Sequence, residues 1–440
     1  MQHTERDKEL LETLGFSEWN DMQAAAFEAI KKEAEVLLLA PTGSGKTVGF
    51  LRPIADLLRK NVSGVQCLIL VPSRELALQI EQVWKQMNTG YKVNSSYGGH
   101  SIESEIQSLG TPPAVLVGTP GRITDHLTRG TFTTDTIRLL VLDEFDKSLE
   151  LGFEEEMSAI AGHLKKLEKK VLVSATNVVE IPAFVNLTAP VTLDFSDHHG
   201  EERLLNLRLV VSKERDKIDS LFNLLCFLGS ESTIIFCNHR EAAERVNQLL
   251  LERGIGNAVF HGGLEQMERE QTLVRFRNGS VRFLVATDLA ARGLDIPEVN
   301  HVVHYHLPST GAEFTHRNGR TARMKAKGTA YIIQYEGEPL PAYIDKQPEL
   351  LEVPDNCELP SDPEWTTLFI SAGRKDKVNK VDIVGFFSKV GNLSKDELGM
   401  IEVKDHVSFA AVRKVKMKDL MKRIADEKLK GKKYKIAVAR

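Results

Sequence analysis

The chain has 440 residues, 42% hydrophobic and 27% charged, with a formal net charge of −4. That is room for about three domains of ordinary globular composition. No apolar run reaches the ~18 residues of a membrane span, and the four scattered cysteines (Cys67, Cys226, Cys237, Cys357) form no CxxC, so neither a disulfide framework nor a zinc site is expected. The polar start MQHTERDKEL has the composition of neither a signal nor a transit segment, and the expected compartment is the cytoplasm. The charge is uneven. From Thr367 to Arg440, Lys and Arg number 19 against 9 Asp and Glu, leaving 38 against 52 in the rest. A basic module on an acidic body points to a polyanion held by the tail, although a Lys-rich run by itself is as often a solvated surface.

The first element is an apolar run, VLLLA (36–40), that feeds directly into APTGSGKT, Ala40 to Thr47. Gly43 and Gly45 let the backbone approach phosphate oxygens with no Cβ in the way. The following helix N-terminus adds unpaired N–H groups. Lys46 is placed to reach the β- and γ-phosphates and Thr47 to ligate Mg²⁺. Further runs follow at CLILV (67–71), AVLVGT (114–119), LLVLDE (139–144) and VLVSAT (171–176), with amphipathic stretches such as ELALQIEQVWKQM between them. Val, Ile and Leu with little alternation predict parallel strands buried on both faces, hence an α/β doubly wound unit. LLVLDEFD (139–146) ends in carboxylates. Read alone, these would be a helix cap or a solvated turn. With the phosphate loop upstream, Asp143 is the expected Mg²⁺ ligand and Glu144 the group that orients the attacking water.

The pattern then restarts with TIIFC (233–237), NAVFHG (257–262), FLVATD (283–288), HVVHYHL (301–307) and TAYIIQ (329–334). Two tandem α/β domains fit better than one very large sheet. The expected boundaries are 1–195 and 206–345, with polar DFSDHHGEE near residues 194–202 as the first linker. A second linker, 346–365, is rich in Pro, Asp and Glu and is expected to be extended and poorly packed. In the second unit HRNGRTAR (316–323) carries three arginines. Arg320 and Arg323 are spaced for one helical face and are the expected arginine fingers for the γ-phosphate. The tail, 366–440, reads β-α-β-β-α-β, an RRM-like α+β sheet with both helices on one face. HVSFAAVR offers only Phe409 where several stacking aromatics would stand. A ferredoxin-like interaction domain that binds no RNA is the alternative. Lys432 and Lys433, before the closing strand, are the tail's expected RNA contacts.

These motifs, in this order, resemble those of the DEAD-box RNA helicases of superfamily 2, over nearly all of residues 10–335. GFSEWNDMQ (15–23) is similar to the adenine-reading Q motif, with Gln23 as its glutamine. APTGSGKT is similar to motif I, so that Thr42, Gly43, Ser44, Gly45, Lys46 and Thr47 are implied to hold the nucleotide. PSRELALQ (72–79), Gly98-Gly99 and TPGR (119–122) resemble the RNA-contacting motifs. They imply RNA contacts by Arg74, Gly98, Gly99, Thr119 and Arg122. SAT (174–176) resembles the motif that couples the ATP site to RNA, which implies coupling roles for Ser174 and Thr176 together with Asp146. In the second unit IIFCN (234–238), the Gln266/Arg269 pair of QMER, ATDLAARGLDIP (286–297) and HRNGRTAR complete the set. They imply RNA contacts by Gln266, Arg269 and Thr287 and a nucleotide contact by Asp295. The tail resembles the RNA-binding domain of DbpA-type and DeaD-type helicases, with the body closer to the DbpA type.

The resemblance implies two RecA-like domains, ATP and Mg²⁺ as cofactors, and an RNA-dependent ATPase that locally separates short duplexes. It also implies structured ribosomal RNA as the tail's partner, with pre-ribosomal particles as the setting. An ATP-controlled RNA clamp and a cold-shock or RNA-decay helicase are the alternatives. Four departures stand out. Phe145 replaces the alanine of DEAD, and its ring has to pack against nearby core or the SAT segment. Asn20-Asp21-Met22 departs from the usual approach to Gln23, with no upstream aromatic placed to stack on adenine. Ala322 replaces a glycine between the expected fingers. Ser73 replaces a threonine and keeps its hydroxyl.

Overall fold

A computed structural model describes residues 5–41, 43–99, 101–175, 181–195, 205–288, 299–321, 328–344 and 347–439. Its first sheet has seven parallel strands: β1 Glu35–Leu39, β2 Cys67–Leu70, β3 Val93–Ser96, β4 Val115–Gly118, β5 Leu139–Asp143, β6 Lys169–Ser174 and β7 Val191–Asp194. Their order across the sheet is β3-β4-β2-β5-β6-β1-β7. The helices are α1 Glu5–Leu14, α2 Asp21–Lys32, α3 Lys46–Leu57, α4 Arg74–Gln86, α5 Ile102–Leu109, α6 Pro120–Thr128, α7 Phe145–Glu150 and α8 Glu154–His163.

The missing alternation in the strands has a direct cause. Val36 and Leu38 enter one buried layer and Leu37 and Leu39 the other. Val141 likewise faces one side of β5, and Leu140 and Leu142 the other. Helices cover both faces, so each position on these strands favours an apolar residue. Two strands, β3 and β7, have too few apolar residues to stand out in the sequence. VNSS has three polar residues of four and VTLD is largely exposed; pairing with β4 and β1 makes them strands.

The second sheet contains β8 Leu205–Ser212, β9 Thr233–Cys237, β10 Asn257–Phe260, β11 Phe283–Thr287, β12 His301–His304, β13 Gly328–Tyr335 and β14 Glu349–Leu350. Their order is β10-β11-β9-β12-β13-β8-β14, again parallel. Its helices are α9 Ile218–Leu228, α10 Arg240–Glu252, α11 Gln266–Arg277 and α12 Gly311–Asn318.

The segment expected to be a poorly packed linker is extended, as its prolines require, but it is packed. β14 pairs with β8, and Leu351, Val353 and Cys357 lie against the second core. Ser361 Oγ meets Ser230 Oγ at 2.7 Å, and the Ser361 carbonyl accepts from Arg282 at 3.0 Å. Apolar residues scattered among the acids give this strap a buried side.

The tail contains β15 Trp365–Ile370, α13 Lys380–Lys389, β16 Leu398–Val403, β17 Ser408–Arg413, α14 Met417–Ile424 and β18 Ile436–Val438. They form an antiparallel sheet of order β16-β17-β15-β18. Leu368, Ile370, Ala410 and Val412 share a core with Ile383 and Phe387 of α13 and Leu420 and Ile424 of α14. The opposite sheet face is not open. Phe369 and Phe409 meet edge to face at 5.9 Å and pack with Val274 of α11. Arg277 pairs with Glu402 at 3.0 Å, and Asn278 and Ser280 bond Thr367 at 3.2 and 2.7 Å. Phe409 is fully buried, so the one aromatic offered for base stacking serves instead to seat the tail on the second α/β unit.

Candidate functional site

In a parallel sheet all strands end on one side, and loops there carry the ligands. The phosphate loop leaves β1 and enters α3 at Lys46. Gly45 has φ 87°, a left-handed conformation that favours glycine, and a Cβ there would lie 2.5 Å from Gln23 Nε2 and displace that amide. Lys46 is buried and donates to the Ala40 carbonyl at 2.5 Å, closing the loop on itself. The departures ahead of Gln23 have a structural use. Asn20 caps α2: its Oδ1 accepts from the Gln23 N–H at 2.8 Å, and Gln23 Oε1 accepts from the Asn20 N–H at 3.1 Å. Their amides then donate to the loop, Asn20 to the Ser44 carbonyl at 2.9 Å and Gln23 to that of Gly45 at 3.3 Å. Gly43 and Ser44 lie in this turn and Thr47 in the first turn of α3, while Thr42 lies outside the described residues.

Asp143 closes β5 and is buried. Burial and the neighbouring Glu144 charge push its carboxyl from 3.8 up to about 7, against the pull of Lys46. Glu144 adopts φ 48°, ψ 47°, left-handed for a residue with a side chain, at a cost on the order of 1 kcal/mol. The strand has to reverse there into α7, and the sheet on one side and the helix on the other hold the strain. Phe145 is buried in the layer that contains Leu142, Met157 and Ile160, so of its two expected environments it occupies the core. Asp146 is buried at the start of α7. Ser174, at the end of β6, is buried, and its carbonyl accepts from the Ala40 N–H at 3.1 Å. The segment expected to couple ATP to RNA is therefore bonded to the first residue of the phosphate loop. Thr176 lies outside the described residues.

The ends of β2, β3 and β4 bring the expected RNA residues together. Arg74 starts α4 and stacks on the Tyr97 ring at 4.5 Å. Gly98 and Gly99 follow Tyr97, and both are exposed. Thr119 caps α6, and its N–H bonds the Ser96 carbonyl at 3.1 Å. Arg122 Nε donates to the Tyr97 carbonyl at 3.1 Å. Sequence reasoning missed Tyr97, which touches Arg74 and Arg122 and precedes the two glycines; nothing in its local pattern marks it.

On the second sheet, Thr287 ends β11 and is buried. Gln266 opens α11 and donates to Glu270 at 3.0 Å, and Arg269 stands over the Phe260 ring at 5.5 Å. Arg320 is not on a helical face. Helix α12 ends at Asn318, and Arg320 and Thr321 sit in a tight turn, bonded to the Arg317 and Asn318 carbonyls at 3.1 and 3.0 Å. Asn-Gly is a poor helix continuation, and Thr321 Oγ1 bonds the Asn300 carbonyl at 3.1 Å instead. Arg323 and Asp295 lie outside the described residues. Arg317 turns inward. It pairs with Asp288 through two bonds, one of 2.7 Å, donates to Asn238 Oδ1 at 2.9 Å and to the His306 carbonyl at 2.5 Å, and lies 5.0 Å from the Phe236 ring. It thus joins three of the sequence motifs, a role that its bare position in HRNGRTAR did not reveal. In the tail, Lys432 and Lys433 are exposed, and Lys433 pairs with Asp426 at 2.8 Å.

Three family models match the chain. They are the DEAD/DEAH box helicase over residues 20–182, the helicase conserved C-terminal domain over 216–325, and the DbpA RNA binding domain over 367–438. ATP-dependent RNA helicase DbpA of Escherichia coli is 32% identical over 437 residues, covering 96% of this chain and 94% of that protein. The Bacillus subtilis protein of the same name is 29% identical over 458 residues, covering 97% and 96%. Among solved structures, Saccharomyces cerevisiae Dbp5 bound to RNA and ADP BeF3 has a TM-score of 0.70 at 25% identity, covering 80% of this chain and 94% of that one. Mss116p bound to ssRNA and AMP-PNP has 0.69 at 26%, covering 76% and 73%. The chain belongs to the DEAD-box ATP-dependent RNA helicases, in the branch that carries a DbpA-type RNA-binding tail: two RecA-like units that hydrolyse ATP, followed by a small RNA-binding domain. Among the described residues no helix is long and apolar enough to cross a membrane.

Proposed function

We propose that this helicase separates short RNA duplexes locally, next to a structured ribosomal RNA element gripped by its tail, during assembly of the large ribosomal subunit in the cytoplasm. One observation carries the reading: a single sheet edge holds the phosphate loop with Glu144 and, beside it, the Arg74–Tyr97–Arg122 cluster with its exposed glycines. The proposed parts are residues 1–195, 206–345, the strap 346–365 and the tail 366–440. Lys46 and the turn of Thr42 to Thr47 hold the phosphates, with Gln23 beside the loop and Asp295 as a further nucleotide contact. Glu144 orients the water. Arg320 and Arg323 supply positive charge that offsets the negative charge on the γ-phosphate and its leaving oxygen as the bond breaks. Arg74, Gly98, Gly99, Thr119, Arg122, Gln266, Arg269 and Thr287 grip the sugar–phosphate backbone without reading sequence. Held in a shape that A-form pairing does not allow, the strand leaves its complement. Asp146, Ser174 and Thr176 transmit the state of the nucleotide to that grip, and Lys432 and Lys433 add to the tail's hold on RNA.

The residues fit Mg²⁺. Asp143 and Thr47 offer hard oxygen donors, and a buried carboxyl raised to about 7 is one that a neighbouring cation would return to its ionised form. A Mg²⁺ ion held by Asp143 and Thr47 would supply charge neutralisation to the nucleotide's phosphates.

The test is strand displacement from a short duplex placed beside a hairpin, with ATP against a non-hydrolysable analogue. ATP-dependent release supports the reading, and RNA retention without release would point to a clamp. Crosslinking in cells checks the setting: enrichment on one large-subunit rRNA region is expected, and a broad mRNA distribution would overturn it.

A further inference from the structure

Behind the proposed RNA edge of the first sheet lies a buried acid–imidazole pair. Glu105 is on α5 and His126 on α6, and both are buried. His126 Nε2 meets Glu105 Oε2 at 2.5 Å, and Nδ1 meets Thr131 Oγ1 at 2.9 Å. The Thr131 hydroxyl donates to the His126 carbonyl at 3.2 Å, so the network assigns it as acceptor from Nδ1–H. Nε2 and Oε2 then form a buried hydrogen bond that ties α5 to α6.

The other oxygen of Glu105 faces the RNA cluster. Oε1 accepts from the Tyr97 N–H at 3.3 Å and lies 3.9 Å from Arg122 Nε. Arg122 Nε in turn donates to the Tyr97 carbonyl at 3.1 Å. Both polar groups of the Tyr97 backbone are thereby tied down, one to Glu105 and one to Arg122. The Tyr97 ring carries the Arg74 guanidinium at 4.5 Å. A Cβ on Gly99 would lie 3.2 Å from Arg74 Nη1, so the glycine turn and that guanidinium are neighbours. Three segments far apart in sequence meet at Tyr97, and Glu105 is the buried carboxylate that holds its N–H.

We infer that Glu105 and His126 are positioning residues for RNA: the pair fixes the Tyr97 peptide, and through it the geometry of Arg74, Gly98-Gly99 and Arg122, without contacting RNA. The inference rests on the proposed RNA role of those residues. A buried hydrogen-bonded pair suits the task because neither group can swing to solvent without leaving its partner unsatisfied.

The test uses the full chain and an unstructured single-stranded RNA oligonucleotide, and follows ATP turnover against RNA concentration and against ATP concentration. Glu105→Ala should raise the RNA concentration for half-maximal turnover about tenfold and leave the ATP KM and the turnover at saturating RNA within about twofold. Glu105→Gln should return the RNA value to within about threefold of wild type, since its carbonyl can accept from Tyr97 N–H and its amide can bond His126 Nε2. Thr131→Val, which removes the outer bond and disturbs packing least, should shift the RNA value about twofold to threefold. Thermal unfolding of each variant separates positioning from loss of fold. An unchanged RNA value in Glu105→Ala and Thr131→Val, or an ATP KM that rises in step with it, would overturn the inference while leaving the helicase reading intact. A wild-type protein whose turnover ignores RNA would overturn both.

Discussion

At the ends of β1, β5 and β6 the chain positions its groups through the backbone: a glycine at φ 87°, a strained Glu144, and a lysine bonded to its own loop carbonyl. At the ends of β2, β3 and β4 on the same edge, positioning runs through side chains, with Tyr97 stacked, bonded and backed by buried Glu105 and His126. The difference matches the two ligands proposed for these ends. Phosphoryl transfer needs N–H groups and carboxylates held closely around one reacting centre, and fixed dihedrals do that locally. A sugar–phosphate backbone is long, so its contacts come from separate segments and need a tertiary node to share.

The comparison can be broken from either side. The largest effect is expected from Glu144→Gln: RNA-stimulated phosphate release should fall at least ~1,000-fold, with nucleotide affinity within about threefold by titration. Asp143→Asn tests the cost of the buried carboxylate. A carboxyl raised from 3.8 to about 7 in the fold makes the nucleotide-free protein lose stability as pH rises from about 4 to about 7, because the unfolded chain ionises first. The variant should therefore be more stable than wild type at pH 8, by up to about 4 kcal/mol, with the gap closing toward pH 4 in denaturant unfolding without nucleotide.

Next in size is a crossed pair. Arg122→Ala should raise the RNA concentration for half-maximal turnover by about 2 kcal/mol, roughly thirtyfold, and leave the ATP KM alone. Gly45→Ala should do the reverse, raising the ATP KM about tenfold. Matching shifts in both constants for either variant would mean that the two halves are not separately positioned. The smallest effect, Lys432→Ala with Lys433→Ala, should weaken structured-RNA binding a few-fold and lower the salt slope by about 1.5, measured by titration across ionic strength.

Much of this was legible in the strands. VLLLA, LLVLD and the second series are legible because a strand buried on both faces has to be apolar along its length, the loop after VLLLA has the glycines that phosphate requires, and the carboxylates of LLVLDEFD take their meaning from that loop upstream. What was misread depended on neighbours. Phe409 carries the mark of a stacking aromatic, yet α11 covers it. Arg320 has helical spacing from Arg323, but the helix stops at Asn318. The acidic strap packs because β8 has an edge to offer.

The sequence by itself determined the two α/β units, the small α+β tail, the phosphate loop and the carboxylates, all set by short-range pattern and backbone chemistry. Only the tertiary structure decided which face of the tail sheet is covered, that Phe145 belongs to the core, that Arg317 turns inward, and that Glu105 and His126 stand behind the Arg74–Tyr97–Arg122 cluster. Those depend on residues distant in the chain meeting as packed side chains, and burial and hydrogen-bond satisfaction at such a meeting leave no periodic trace in any one segment.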